Sequence, residues 1–232
     1  MPHTILENKA LVYDNKIIDI IDQEKVPENA DVLDADGGYI SPGLIDIHIH
    51  GYLGADVSDG NADGIKLISQ GIIKNGVTSW CPTTMTVSQN EIITALNTVR
   101  SLKSDSKNWN GAEILGVNLE GPFINPEKKG AQAEEHIKPL DPQFIIDNAD
   151  IIALTTVAPE INNNLTEIEK IVKKCNVKVA IGHSGATYEE AIAAINAGAT
   201  LITHLFNAQT PLNHRNPGVV GAALTTDVSC EL

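Results

Sequence analysis

The chain has 232 residues, a length that suits one large domain or two smaller ones. Its formal net charge of −14 argues against a broad basic surface, so we expect neither nucleic acid nor membrane as a partner. No apolar run approaches the length of a membrane span, and three scattered cysteines argue against a disulfide framework. Because the N-terminal segment does not resemble a signal peptide, we expect a reduced, cytoplasmic protein.

Residues 9–40 indicate a small β-structure. The apolar runs "ALVY" and "KIIDII" flank Asp14-Asn15, which suits a hairpin turn. Turn-forming residues at 34–38 then lead into a longer apolar strand. We therefore predict two regions, a small β-segment at 1–42 and a larger domain at 43–232.

Strands and helices alternate from Gly43 onward. Apolar runs predict strands at 44–50, 77–81, 113–119, 151–157, 177–181 and 200–204. Helical spacing predicts helices at 61–75, 88–103, 141–148, 164–174 and 187–197. The pairs Ser88/Glu91 and Thr187/Glu190 have the spacing of capping boxes. This alternation predicts an α/β fold with a parallel sheet, and both a doubly wound sheet and a (β/α)₈ barrel fit.

Two histidines end the first strand of this region, in the stretch "GLIDIHIHG". Side chains two apart on a strand point to the same face, so His48 and His50 share a face with Asp46. Ile47 and Ile49 form the opposite, apolar face. Taken alone, the pair fits a functional site and a pair of hydrogen-bonded structural histidines about equally well.

Three later strands also end in polar residues, namely Glu120, His183 and His204. In a parallel barrel the carboxyl ends of the strands meet at one face, where active sites lie. Four imidazoles and one carboxylate form a ligand set for Zn²⁺, Fe²⁺, Mn²⁺ or a similar divalent ion. A single strand-end histidine is more often simply hydrogen-bonded, but five such positions together favour a metal site. The remaining histidines, for which we expect surface or loop roles, are His3, His136 and His214.

Long loops at 121–140 and 207–221 follow candidate ligands, and loops at this face of a barrel bind substrate. Arg215 lies in the second loop, and its guanidinium suits a carboxylate or phosphate group. Lys128 and Lys129 lie in the first loop, where ordinary solvated charge is the better interpretation.

Four stretches together resemble the N-acetylglucosamine-6-phosphate deacetylases of the amidohydrolase superfamily: "SPGLIDIHIHG", "GVNLEGPFINPEKKGAQ", "IGHSGATYEEA" and "THLFNAQTPLNHRNPGVVGAAL". The resemblance extends from about residue 9 to the end. It implies a (β/α)₈ TIM-barrel with a small β-sandwich built from both chain termini. It also implies hydrolysis of the acetamide of N-acetylglucosamine 6-phosphate to glucosamine 6-phosphate and acetate, with one or two divalent ions. Enzymes of this family are typically homodimers.

The same resemblance implies roles for individual residues. Glu120, His183 and His204 would hold the principal ion, and His48 and His50 would hold a second ion that Glu120 bridges. The sugar phosphate would contact five residues, namely Ala131, Gln132, Asn207, Ala208 and, at its phosphate, Arg215. Some relatives carry His where this chain has Gln132, and Met is usual at the position of Gln209.

The family's general acid–base aspartate follows the eighth barrel strand and has no counterpart in this sequence. We count six strands, and "DVSCEL" at 227–232 begins a seventh, preceded by Asp227 on the wrong face to substitute. We therefore expect a C-terminally truncated deacetylase with weak or no turnover. Two alternatives stay open: another amidohydrolase, of dihydroorotase or dipeptidase type, and a non-catalytic remnant that binds metal or sugar phosphate.

Overall fold

The computed structural model describes residues 4–232, so the expectation for His3 lies outside the described residues. The chain divides into two compact units between Pro42 and Gly43. In the first unit, strands β1 (Lys9–Tyr13) and β2 (Ile17–Asp22) pair antiparallel. The hairpin predicted around Asp14-Asn15 is therefore confirmed.

The second unit is built on a parallel sheet. In chain order its strands are β3 (Leu44–Ile49), β4 (Gly51–Tyr52), β5 (Ala55–Asp56), β6 (Val77–Thr84), β7 (Glu113–Ile114), β8 (Val117–Glu120), β9 (Ile152–Val157), β10 (Lys178–Ile181), β11 (Leu201–Ile202) and β12 (Ser229–Cys230). The order across the sheet is β3-β6-β8-β9-β10-β11-β12, with β7 beside β6 and with β4 and β5 in a separate hairpin. Apart from β4, β5 and β7, each strand lies beside the next along the chain, so the sheet winds in one direction, as in a barrel. A doubly wound sheet would reverse its order, so the barrel-type α/β fold is confirmed.

The helices are α1 (Ala62–Ile72), α2 (Gln89–Lys103), α3 (Pro142–Asp147), α4 (Asn164–Lys174), α5 (Tyr188–Asn196) and α6 (Gly218–Thr225). Both predicted capping boxes form, at Ser88/Glu91 and at Thr187/Glu190. In α1 the helical spacing of Ile65, Ile68 and Ile72 buries all three side chains. Such stripes, packed on Val/Ile/Leu-rich strands, leave the carboxyl ends of the strands free for a site.

Two predictions of local structure were wrong. Residues 218–221 belong to α6 rather than to a loop, because this helix is buried nearly all round and shows no amphipathic period. The strand predicted at 113–119 is broken into β7 and β8 at Leu115-Gly116. Gly116 has φ 155°, and a Cβ there would lie 2.8 Å from the carbonyl oxygen of Ile151, so a larger residue would not fit.

None of the helices described between residues 4 and 232 is both long and apolar enough to cross a membrane.

Candidate metal centre

Glu120 is the centre of the site. Its side chain is 2% exposed, and both of its oxygens face imidazole Nε2 atoms. Oε1 lies 3.1 Å from His48, 3.2 Å from His183 and 3.1 Å from His204. Oε2 lies 3.0 Å from His50. The structure thus brings together all five residues that the sequence suggested as metal ligands.

The strand ends explain this convergence. His48 lies within β3 and His50 follows it, so their side chains share one face, and Glu120 is the last residue of β8. His183 and His204 each lie two residues beyond a strand, with φ of 46° and 29°. Residues other than glycine seldom adopt this left-handed region, and such strain is concentrated at functional sites.

Every one of the four imidazoles has an oxygen acceptor within reach of Nδ1. The pairs are His48 with Glu231 Oε2 at 2.8 Å, His50 with Thr83 O at 3.2 Å, His183 with Lys128 O at 2.9 Å and His204 with Asn207 O at 3.1 Å. These acceptors assign the proton of a neutral ring to Nδ1 and leave a lone pair on Nε2. In neutral rings all four Nε2 lone pairs are therefore directed towards Glu120, whereas a ring that also carries a proton on Nε2 donates it to Glu120.

The residues fit a divalent cation. The Nε2 atoms of His183 and His204 lie 3.0 Å apart, and those of His48 and His50 lie 3.3 Å apart. Lone pairs at such distances repel one another unless a proton or a cation lies between them. Two trios have their ligand atoms within 4.8 Å of one another: His48/His50/Glu120 and Glu120/His183/His204. Imidazole with carboxylate is a ligand set for Zn²⁺ and similar ions.

The contacts between Glu120 and the imidazoles favour the charged forms of both partners. Burial alone would raise the pKa of Glu120, but hydrogen bonds from the four imidazoles outweigh it and hold this pKa well below its usual range. Burial alone would lower the pKa of His48, but hydrogen bonds to Glu120 and Glu231 raise it to about 10. The carboxylate of Glu120 is thus ionised, as a metal ligand requires.

The predicted substrate residues divide into two groups. Ala131 and Gln132 line an open cavity of about 440 Å³ that also contains the five candidate ligands. Gln132 is buried, and its Nε2 donates to Glu120 Oε2 at 2.7 Å while its Oε1 accepts from the amide of Thr86 at 2.6 Å. Gln132 therefore supports the central carboxylate directly.

The other three predicted substrate residues are not among the described residues that line this cavity. Asn207 accepts a hydrogen bond from His204 through its carbonyl, and Ala208 accepts one from the amide of Ser184. Arg215 is exposed, in a loop that Asn213 Oδ1 holds through the Arg215 amide. Their contacts with a substrate stay predictions.

Sequence reasoning missed Glu231. It directly follows β12, lines the cavity and bonds His48. The signal was available, because a charged residue at the end of a predicted strand is the same pattern that identified Glu120.

A parallel, barrel-type sheet with imidazoles and a carboxylate at the carboxyl ends of its strands defines a class of metal-binding α/β proteins. Residues 39–227 match the amidohydrolase family, and the chain belongs to it.

The named relatives to which the chain is similar are sugar-phosphate deacetylases. The chain is 35% identical to the N-acetylglucosamine-6-phosphate deacetylase of Bacillus subtilis, over 93% of this chain and 56% of that protein. It is 36% identical to an N-acetylgalactosamine-6-phosphate deacetylase of Escherichia coli O157:H7, over 86% of this chain and 53% of the relative. The crystal structure of N-acetylglucosamine-6-phosphate deacetylase from Pasteurella multocida superposes with a TM-score of 0.91 at 36% identity, covering 98% of this chain and 60% of that one. The chain thus spans between half and two thirds of the length of these relatives.

Proposed function

We propose that this chain takes part in the metal-dependent hydrolysis of the acetamide of an N-acetylhexosamine 6-phosphate, releasing acetate and the amino sugar phosphate. One observation carries the proposal: Glu120 and four histidines from four strand ends converge on one point in an open cavity. The names of the relatives, which are sugar-phosphate deacetylases, supply the substrate class.

Glu120 with His183 and His204 would hold one divalent ion, and His48 and His50 would hold a second that shares Glu120. Zn²⁺, Fe²⁺ and Mn²⁺ all suit these donors. When bound, such an ion polarises a carbonyl group and lowers the pKa of a water ligand toward neutrality. The chain's own residues accept the Nδ1 proton of each neutral ring, which leaves Nε2 available to the ion. Gln132 donates a hydrogen bond to Glu120, and the lining residues shape the cavity.

The substrate would lie in this cavity, whose volume falls within the usual range for small-molecule sites. We propose that Ala131 and Gln132 bound it on one side, that Asn207 and Ala208 contact the sugar, and that Arg215 binds the phosphate. A cytoplasmic location and a homodimer belong to the same proposal and rest on the resemblance to these enzymes.

Binding and turnover together test this function. The zinc-loaded chain is titrated with N-acetylglucosamine 6-phosphate in a calorimeter, and acetate release is measured on the same samples. We expect saturable binding that weakens in Glu120→Ala and with N-acetylglucosamine lacking the phosphate. Any acetate release should also need both the ion and Glu120. Equal affinity for the phosphorylated and unphosphorylated sugars, together with unchanged affinity in Glu120→Ala, would contradict the proposal.

A second candidate substrate of the same class is N-acetylgalactosamine 6-phosphate, for which the Escherichia coli relative is named. The two 6-phosphates differ only at C4, so competition between them in the same titration decides which one the site prefers. An amidohydrolase of dihydroorotase or dipeptidase type is the weaker alternative, because Arg215 and the "GAQ" loop at 130–132 belong to the stretches that resemble the sugar-phosphate enzymes.

A further inference from the structure

Among the four imidazoles, His48 has a distinct environment. The Nδ1 acceptors of the other three are backbone carbonyl oxygens, whereas that of His48 is the carboxylate of Glu231 at 2.8 Å. A carboxylate that accepts a hydrogen bond from a metal-ligating histidine makes the opposite ring nitrogen a stronger electron-pair donor to the metal. Such partners also fix the ring's tautomer and orientation.

The backbone fixes the position of Glu231. Its amide donates to Ile202 O at 2.9 Å, and its carbonyl accepts from Leu205 N at 2.8 Å, which continues the parallel pairing of β11 and β12. The side chain is 12% exposed. The carboxylate is therefore attached to the sheet rather than to a free loop.

One oxygen of Glu231 contacts elements of both trios. Oε2 accepts from His48 Nδ1, from Thr203 Oγ1 at 2.8 Å and, more weakly, from the amide of His204 at 3.3 Å. Oε1 is buried and has no hydrogen-bond partner among the described residues. Glu231 thus orients the ring of one candidate ligand and the backbone of another.

We infer that Glu231 is a positioning residue for the ion held by His48, His50 and Glu120. This trio has one carboxylate, which the other trio shares, so two cations would face little negative charge from their direct ligands. Glu231 adds a second carboxylate, one imidazole away. The inference rests on the proposed metal function. Glu231 strengthens the affinity for the ion at the His48 side of the site and fixes the orientation of the His48 ring.

Metal titration of the full chain tests this role. Zn²⁺ affinities are measured by competition with a chromophoric chelator in the wild type, in Glu231→Gln and in His48→Ala. Glu231→Gln removes the charge but keeps a hydrogen-bond acceptor, so it should weaken the affinity for the ion that depends on His48 by roughly 10–100-fold. Glu231→Gln should add no further loss to His48→Ala. If a single ion binds, the same cycle applies to it.

Two further measurements exclude a merely structural role. Glu167→Gln removes a half-buried carboxylate on α4 that pairs with Lys170, so it matches the change in charge and should leave affinity unchanged. The ¹⁵N shifts of the His48 ring should report a proton on Nδ1 in the zinc-loaded wild type and a shifted Nδ1 resonance in Glu231→Gln.

The outcomes separate this inference from the proposed function. Zinc binding that needs Glu120 but is equal in the wild type and Glu231→Gln would overturn the inference alone. Equal losses from Glu231→Gln in the wild-type and His48→Ala backgrounds would also overturn it. A wild-type chain that binds no zinc would overturn both.

Discussion

The Nε2 atoms of His183 and His204 lie 3.0 Å apart, and their rings are nearly perpendicular, with an angle of 84° between the planes. Each ring has a backbone carbonyl as the acceptor of its Nδ1 proton, so lone pairs face one another across this gap. A site with this arrangement is destabilised in the neutral, ion-free state and is relieved by a cation.

Zinc should therefore stabilise the folded chain. At a free concentration one hundred times the dissociation constant, binding adds about 2.7 kcal/mol to the free energy of unfolding. For a chain of this size that raises Tm by roughly 5–11 °C. Calorimetry with added Zn²⁺, and then with excess chelator, measures the shift. Mg²⁺ prefers oxygen ligands and serves as the matched control, for which we expect a smaller effect. A zinc-independent Tm would contradict this expectation.

Gln132 should stabilise the folded chain as well as line the cavity, because it forms hydrogen bonds with both Glu120 and the amide of Thr86. Gln132→Leu keeps the volume but leaves a buried N–H without an acceptor, so the free energy of unfolding should fall by about 1–3 kcal/mol. Urea unfolding of the zinc-free protein measures this. Gln143→Leu, at an exposed glutamine, should change it by no more than about 0.5 kcal/mol. Equal effects of the two variants would remove Gln132 from this role.

Glu160 joins the two loops beside His183. Its carboxylate accepts from Asn125 Nδ2 at 2.8 Å, from Ser184 Oγ at 2.7 Å and from Gly185 N at 2.6 Å. Hydrogen bonds to a charged group stabilise strongly, so Glu160→Ala should lower the free energy of unfolding by about 1.5–3 kcal/mol.

The matched control for that variant is Glu169→Ala. Glu169 forms an exposed ion pair with Lys173, one turn away on α4, and such pairs contribute about 0.3–0.5 kcal/mol. Chemical unfolding of both variants gives the comparison. Similar losses in the two would show that the Glu160 network does not stabilise the loops.

The affinity of Arg215→Ala for phosphorylated and unphosphorylated sugars tests the predicted phosphate contact. If its guanidinium binds the phosphate, Arg215→Ala removes charged hydrogen bonds of about 1.5–3 kcal/mol, which corresponds to roughly 10–150-fold in affinity for the sugar 6-phosphate. Affinity for the unphosphorylated sugar should not change. Lys129→Ala, at a partly exposed lysine of the other loop, is the control. A loss in affinity for both sugars, or for neither, would argue against a phosphate contact.

The positions of the candidate ligands could be predicted from sequence because they follow from local rules. Short apolar runs located the strands, and the topology of a parallel sheet brought their carboxyl ends together. His48, His50, Glu120, His183 and His204 all fall under this reasoning. The capping boxes at Ser88 and Thr187 were also local signals, and both formed.

The features that were missed depend on tertiary structure. Helix α6 is buried nearly all round, so its sequence carries no amphipathic period, and its first residues, 218–221, fall in a predicted loop. The hydrogen bond from Gln132 to Glu120 depends on the path of a long loop. The left-handed backbone of His183 and His204 could not be predicted, because no glycine marks it. Glu231 could have been found, since it follows a short strand that the sequence indicated.

The most direct test of the metal site is the metal content of the purified, folded chain, measured by elemental analysis beside Glu120→Ala. Circular dichroism confirms that both proteins are folded. Because both trios share Glu120, we predict about one or two equivalents of a divalent transition metal in the wild type and a large loss in the variant. A folded wild type without metal, or equal metal in the two proteins, would contradict the account.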